Sequence, residues 1–221
     1  MNCRVRRYAY DMTCGCEQQA EALEAAGNDR RRTILWTVLA INAVLFAGEF
    51  GAAIWADSSA LLADSADNLG DMLTYAISIA VVGGALHHRA RAARIKGLIQ
   101  VAFGLAVAAE IVRKLVMGFE PVAPIIVIAA SLALIGNLAC LVLLTSQRNH
   151  DINMKSVWLC SRNDVIGNLA VIASAVLVWG TGMGWLDLAV GAALAILFLD
   201  TGFRVIAESQ RTIRASGDAS A

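Results

Sequence analysis

The sequence has little charge. Charged residues make up 16% of its 221 residues, against roughly a quarter in soluble domains, while hydrophobic residues make up 58% and the mean hydropathy is +0.62. This composition excludes an ordinary soluble domain. Lys and Arg total 18, and so do Asp and Glu. The chain therefore lacks the excess positive charge that neutralises a phosphate backbone, and we expect no nucleic-acid partner.

The sequence also has few helix breakers and no nucleotide-binding loop. Two prolines and 18 glycines interrupt apolar runs of Ala, Leu, Ile and Val, which favours helices over barrel strands of alternating polarity. We expect an all-α polytopic membrane protein. A Gly-Lys-Ser/Thr phosphate loop is absent from the sequence, so we expect no direct use of ATP by the protein.

The five cysteines do not form the pattern of a disulfide framework. Cys140 and Cys160 lie inside apolar runs, and the others lie in a polar leader over residues 1–33. This leader lacks the apolar core of a signal peptide, so the first apolar run is expected to be a retained helix. Cys14 and Cys16 suggest a tail that captures metal in the cytoplasm, but a flexible tail with incidental cysteines is the alternative, since two thiols do not complete a zinc site.

Six apolar stretches are long enough, at roughly 20 residues, to cross about 30 Å of hydrocarbon. They fall near residues 34–56, 59–86, 97–117, 121–145, 156–179 and 185–206. The expected organisation is a cytoplasmic tail at 1–33, a six-helix transmembrane domain at 34–206 and a short cytoplasmic tail at 207–221.

The distribution of basic residues predicts the orientation. Fifteen of the 18 Lys and Arg residues fall in the leader, the second and fourth connections and the C-terminal segment. Cytoplasmic segments hold such an excess, so both termini are expected in the cytoplasm. We expect an integral protein of a bacterial inner membrane.

Carboxylates inside the apolar spans are the most informative feature, because each costs at least a few kcal/mol unless it faces an aqueous cavity, a partner or an ion. The acidic residues in the predicted spans include Glu49, Asp64, Asp67, Asp71, Glu110, Asp164 and Asp200. Glu110 precedes Arg113 and Lys114, and Asp200 precedes Arg204, at spacings that favour local ion pairs.

The second and fifth spans each carry a polar stripe. Asp64, Asp67 and Asp71 are spaced by three and four residues, which places them on one helix face. Like charges on one face repel, so this face needs a cation or shared protons. In the fifth span, Cys160, Asp164 and Asn168 follow one another at four-residue spacing and share a face.

The two stripes lie at the same depth when the spans run antiparallel with a rise of about 1.5 Å per residue. Asp67, Asp71, Cys160 and Asp164 could then surround one point. Three carboxylates and a thiolate suit a four-coordinate transition metal, above all zinc, and the thiol argues against magnesium. Zn²⁺ and Cd²⁺ are the favoured ions for such a site, and Co²⁺, Ni²⁺, Fe²⁺ and Mn²⁺ are not excluded. No organic cofactor is expected.

Structural interpretations stand beside these roles. The four-residue site could be a hydrogen-bonded cluster that joins helices, although such contacts usually use Ser, Thr or Asn. Asp64 is expected to support the ligands, and a proton carrier or an outer ligand is the alternative. Asn68 and Asn168 are expected at most to support the ligands. Glu49, which lies two turns after Asn42, could relay protons or make a packing contact.

The motifs around these residues resemble those of the cation diffusion facilitator family. The segment Ser59-Ala60-Leu61-Leu62-Ala63-Asp64, followed by Asp67 and Asp71, is similar to the second-helix motif of that family. The stretch from Cys160 to Asn168 is similar to its fifth-helix motif. Asn42, Glu49 and the six-span layout fit as well.

This resemblance implies a homodimeric exporter that binds metal at mid-membrane through Asp67, Asp71, Cys160 and Asp164 and takes up protons in exchange. Cys160 stands where relatives commonly have His or Asp, so the resemblance does not transfer a metal preference. The family's usual C-terminal cytoplasmic domain does not fit into residues 207–221. We therefore expect the membrane helices to hold the dimer.

Two other function classes compete with transport. An intramembrane aspartyl hydrolase would use two carboxylates that share a proton, but neither Asp71 nor Asp164 lies in a Gly-x-Gly-Asp setting. A passive metal channel or sensor should show a ring of like residues around an axis. The asymmetric four-ligand cluster instead favours binding and release of an ion over passive conduction, and we expect no enzymatic activity.

Overall fold

The computed structural model of the chain describes residues 30, 32–80, 86–145 and 152–218. These residues form helices joined by short turns, and no strand occurs among them. The helices are α1 (Arg32–Trp55), α2 (Ser59–Ala80), α3 (Leu86–Met117), α4 (Ala123–Thr145), α5 (Ile152–Thr181) and α6 (Trp185–Asp218). The expected all-α fold is confirmed. Cys14 and Cys16 lie outside the described residues.

Three of the helices extend beyond the apolar spans. Helices α3 and α5 begin at Leu86 and Ile152, ahead of the expected spans, and α6 continues to Asp218. Hydropathy marks only the part of a helix that contacts hydrocarbon, whereas the flanking segments keep helical hydrogen bonds in a polar environment.

The bundle has two distinct ends. Helices α1, α3 and α5 begin at one end, which we call the basic end because most Lys and Arg residues lie there in the sequence. The other end, which we call the loop end, holds the turns after α1, α3 and α5. Two of these turns use a left-handed glycine: Gly118 has φ +82° and donates its N–H to the Lys114 carbonyl at 2.9 Å, and Gly182 has φ +69°. Glycine adopts this conformation without the steric cost that a side chain adds.

Five of the described helices are long and apolar enough to cross a membrane. Helix α2 differs because it carries Asp64, Asp67 and Asp71 within 22 residues. It packs against α3, α5 and α6, and most of its side chains from Ser59 to Asp71 are buried. Large apolar side chains such as Val116, Trp55 and Val44 are instead exposed at 81%, 77% and 71%. Polar groups inside and apolar groups outside are the pattern expected in lipid.

Small residues allow close approach between α2 and α6. A Cβ added at Gly191 would lie 2.7 Å from the Ser59 carbonyl oxygen, so the two backbones touch at this point. Small residues at helix contacts are typical of membrane bundles. This close packing places the start of α2 at a defined depth and rotation against α6.

Polar contacts fix the same region at the loop end. The Asp187 carboxylate of α6 accepts the Ser58 hydroxyl at 2.5 Å and the Ser59 N–H at 2.6 Å, and so caps the first turn of α2. The ammonium of Lys114, buried at the end of α3, lies 3.0 Å from the Asp57 carboxylate. We call Asp57, Ser58, Lys114 and Asp187 the loop-end clamp. It joins the start of α2 to α3 and α6.

Two of the three ion pairs that the sequence spacing favours are present in the structure. Arg113 contacts Glu110 at 2.6 Å and Arg204 contacts Asp200 at 2.8 Å, as the spacing predicts. Lys114, which was expected to help neutralise Glu110, pairs instead with Asp57. The Lys114 side chain is directed into the protein interior, where the nearby carboxylate is that of Asp57.

Candidate metal site

Helices α2 and α5 bring three of the predicted ligands together. Asp67 and Asp71 lie one turn apart on α2, and each carboxyl group lies close to that of Asp164 on α5. Asp71 and Asp164 are buried, at 6% and 4% exposure, and Asp67 is half-buried. The contact therefore joins two helices in the bundle interior.

The described side chains do not form a finished coordination shell. Within the described part of the chain, no group of three or more His, Cys, Asp or Glu residues is arranged to hold a metal ion. Asp164 therefore lies against Asp67 and Asp71 without a complete set of ligands around one metal position among the described residues.

Cys160 lies one turn before Asp164 in α5, but its side chain is outside the described part of the structure. Its role as a thiolate ligand stays a prediction. A different cysteine is described close by. Cys140 of α4 is fully buried, and its thiol lies within electrostatic range of Asp71. The sequence placed Cys140 only within an apolar span, since nothing in its local pattern points toward α2.

Tyr75 is a further residue of this site that the sequence reasoning missed. Its hydroxyl donates to Asp71 Oδ2 at 2.7 Å, and its side chain is fully buried. The signal was present in the sequence, because Tyr75 follows Asp71 by one helical turn. This hydrogen bond orients the Asp71 carboxylate and occupies one of its two oxygens.

Lys96 of α3 also reaches this region. Its ammonium donates to the hydroxyl of Thr74, one turn beyond Asp71. Its positive charge acts on the carboxyl groups of both Asp67 and Asp71. Sequence reasoning counted Lys96 only among the basic residues that set orientation.

A second acidic pair lies toward the loop end. Glu49 of α1 and Asp64 of α2 are buried, at 2% and 3% exposure, and their side chains contact each other. Asn68 donates to Glu49 Oε2 at 2.6 Å. No donor among the described residues reaches Asp64 Oδ2. The structure therefore places Asp64 and Asn68 beside Glu49, on the α1 side of α2.

The space for this pair depends partly on a glycine of α5. A Cβ added at Gly167 would lie 3.2 Å from Asp64 Oδ1. That separation is tighter than ordinary van der Waals contact, so any larger residue would press on the carboxylate. Gly167 lets α5 pass close to Asp64.

The two remaining predicted residues lie further from the ligands. Asn42 of α1 donates to the Val38 carbonyl at 2.9 Å and contacts the Cys140 thiol at 3.8 Å. Asn168 donates to the backbone carbonyl of Asp164 at 2.9 Å. Asn42 therefore faces α4 rather than the Glu49 pair, and Asn168 supports the backbone that carries Asp164.

Comparison with known proteins adds independent findings. Residues 35–213 match the family model described as the cation efflux transmembrane domain. The chain is 25% identical over 185 residues to the metal cation efflux system protein CzcD of Cupriavidus metallidurans, with 78% of this chain and 58% of that protein covered. A shorter match, 35% identical over 75 residues, relates it to the zinc transporter ttm-1 of Caenorhabditis elegans, with 34% of this chain and 16% of that protein covered. The chain thus spans 58% of the length of CzcD.

Proposed function

The chain belongs to the cation efflux, or cation diffusion facilitator, family, and from this premise we propose that it exports a divalent transition-metal cation from the cytoplasm in exchange for protons. Asp67, Asp71, Cys160 and Asp164 are the proposed ligands. The observation that carries this proposal is the contact of Asp164 on α5 with both Asp67 and Asp71 on α2. Buried acids from two helices at one point are expensive in a membrane unless a cation or protons use them.

The proposed substrate is zinc or cadmium. Three carboxylates with one thiolate combine hard and soft donors in a set that a four-coordinate zinc ion accepts. The similarity to a protein named as a zinc transporter supports this choice. Cobalt, nickel, iron and manganese are weaker candidates, because their preferred sites use less sulfur or more ligands.

Proton exchange follows from the chemistry of the ligands. Carboxylate and thiolate ligands must lose their protons before they bind a metal. Metal affinity should therefore fall as the pH is lowered. The basic end faces the cytoplasm in this proposal, following the excess of Lys and Arg. The working unit is a homodimer in a bacterial inner membrane.

Zinc uptake into vesicles tests the proposal. The purified full chain is reconstituted with an imposed pH gradient, and zinc flux is followed by an enclosed fluorescent indicator. We expect Asp71→Asn to abolish flux and Asp200→Asn to leave it unchanged. Asp200 is the matched control because it is also an acid in a membrane helix, but it is exposed and paired with Arg204.

Two results would contradict the proposal. Undiminished zinc flux in Asp71→Asn would show that the metal site does not lie at the α2–α5 contact. If collapse of the pH gradient left zinc flux in the parent unchanged, the mechanism would be passive conduction and not exchange for protons.

A further inference from the structure

Lys96 is a basic residue that the proposed export mechanism does not use. It lies in α3 near the basic end, and its side chain is half-buried rather than extended into solvent. A lysine at a membrane boundary ordinarily directs its ammonium toward water. Here the ammonium turns inward and donates to the hydroxyl of Thr74 on α2.

The packing of α3 against α2 explains this inward direction. Lys96 and Gln100 are four residues apart on α3, and Gly70 and Thr74 are four residues apart on α2, so each pair forms one stripe. The two stripes face each other, because a Cβ added at Gly70 would lie 3.2 Å from Gln100 Nε2. Thr74 in turn donates to the Gly70 carbonyl at 2.8 Å. The ammonium is thus held beside the turn of α2 that contains Asp71.

This position gives the carboxyl cluster a positive neighbour. The ammonium contacts Thr74, which follows Asp71 by three residues on α2, so a positive charge lies near the carboxyl groups of Asp71 and Asp67. Thr74 lies between Asp71 and the basic end of α2, so the ammonium stands on the side from which a cytoplasmic ion would arrive. The hydroxyl of Thr74 is a neutral acceptor and does not cancel the charge of the ammonium.

We propose that Lys96 is a tethered cation that competes with the transported metal for the carboxylates of Asp67 and Asp71, and so limits how tightly the site holds its metal. This inference rests on the proposed function. A divalent ion that reaches the cluster repels the ammonium, which can swing aside on its flexible stem. Lys96 is therefore a residue that tunes affinity and release, and it is not a metal ligand.

Zinc calorimetry on the purified full chain tests this role, at about pH 7.5 where thiol and carboxyl ligands can release protons. Lys96→Met should lower the zinc dissociation constant by about tenfold, because the repulsion of one positive charge is lost. Lys96→Arg keeps the charge and should stay close to the parent. Arg94→Met is the matched control, because Arg94 is an exposed basic residue of the same helix.

Transport measurements separate this role from a structural one. Tighter binding should lower the zinc concentration at half-maximal flux and also lower the maximal rate, because release becomes slower. A merely misfolded variant would lose flux without gaining affinity. Lys96→Gln gives the same test of charge if the methionine variant does not fold, since the amide can still donate to Thr74.

The outcomes distinguish this inference from the proposed function. If Asp71→Asn loses zinc binding while Lys96→Met and Lys96→Gln bind zinc no more tightly than the parent, the competing-cation role is wrong and the metal site stands. If Lys96→Arg tightens binding as much as Lys96→Met, charge is not the cause and the inference fails. Unchanged binding in Asp71→Asn overturns the site itself.

Discussion

Buried carboxylates from α6 and α5 meet two regions of α2 in contrasting settings. At the loop end, Asp187 accepts the hydroxyl of Ser58 at 2.5 Å and the N–H of Ser59 at 2.6 Å, and the N–H of Ala60 lies 3.4 Å from its oxygens. In the middle of the bundle, Asp164 meets other carboxyl groups instead, and no donor among the described residues reaches its Oδ2.

The difference separates two uses of a buried acid. A carboxylate supplied with donors at a helix start has its oxygens satisfied by hydrogen bonds, and it holds the structure together. A carboxylate that faces other carboxylates is costly as an anion, and it exchanges protons or cations in order to stay buried. Burial is common to both, so the partners of an acid indicate its role more reliably than its depth does.

The largest expected effect is on the central acids. Asp164→Asn should weaken zinc binding by at least about a hundredfold, because loss of an outer partner alone typically costs ten- to a hundredfold and Asp164 is a proposed ligand. The free energy of unfolding should not fall, since an amide relieves the contact between acids. Calorimetry and detergent denaturation measure the two quantities. A variant that unfolds readily but still binds zinc would show that Asp164 stabilises the fold and does not bind the metal.

The loop-end clamp should show the opposite pattern. Asp187→Ala removes the cap of α2 and leaves buried donors without an acceptor, which should lower the free energy of unfolding by about 2 to 4 kcal/mol. Zinc affinity of the folded fraction should remain near that of the parent. Denaturation in mixed detergent, with zinc titration of the surviving folded protein, checks both. Unaltered stability would show that the clamp contributes nothing.

Tyr75→Phe should have the smallest effect of the three substitutions, and it tests whether a neighbour of Asp71 contributes to zinc binding or only to packing. The substitution removes the hydroxyl that donates to Asp71 Oδ2 and keeps the ring in its apolar cluster with Cys140 and Leu144. We expect zinc affinity to fall by about tenfold and stability to change by less than about 1 kcal/mol. Affinity equal to that of the parent would assign Tyr75 to packing alone.

The helices and the contact between α2 and α5 could be predicted from local signals. Hydropathy marks the spans, and the spacing of Asp67 and Asp71 places both on one face whatever the tertiary packing is. The equal depth of Asp164 follows from the rise per residue. Six helices with acids from α2 and α5 at one level are therefore predictable from the sequence alone.

The partners of these acids depend on helix rotation and on side-chain reach, which a single sequence does not specify. The basic neighbours of Lys96 indicate only a role in orientation, and the packing at Gly70 is what turns it toward Thr74. The spacing of Lys114 favours Glu110, but the turn after α1 brings Asp57 nearer. Asp187 carries no local signal of its role, because its partners are 127 to 129 positions away in the chain.

The loop-end clamp also determines what motion of α2 can accomplish. With its first turn fixed to α6, α2 can tilt only about that point, which acts as a pivot, and Asp71 lies roughly 18 Å along the lever arm at about 1.5 Å per residue. A tilt of about 10° would move Asp71 by roughly 3 Å, which is longer than a zinc–oxygen bond of about 2 Å. A small rotation at a fixed end would thus suffice to release the ion, and spin-label distances from α2 to α6 should then change far more near Thr74 than near Ser59.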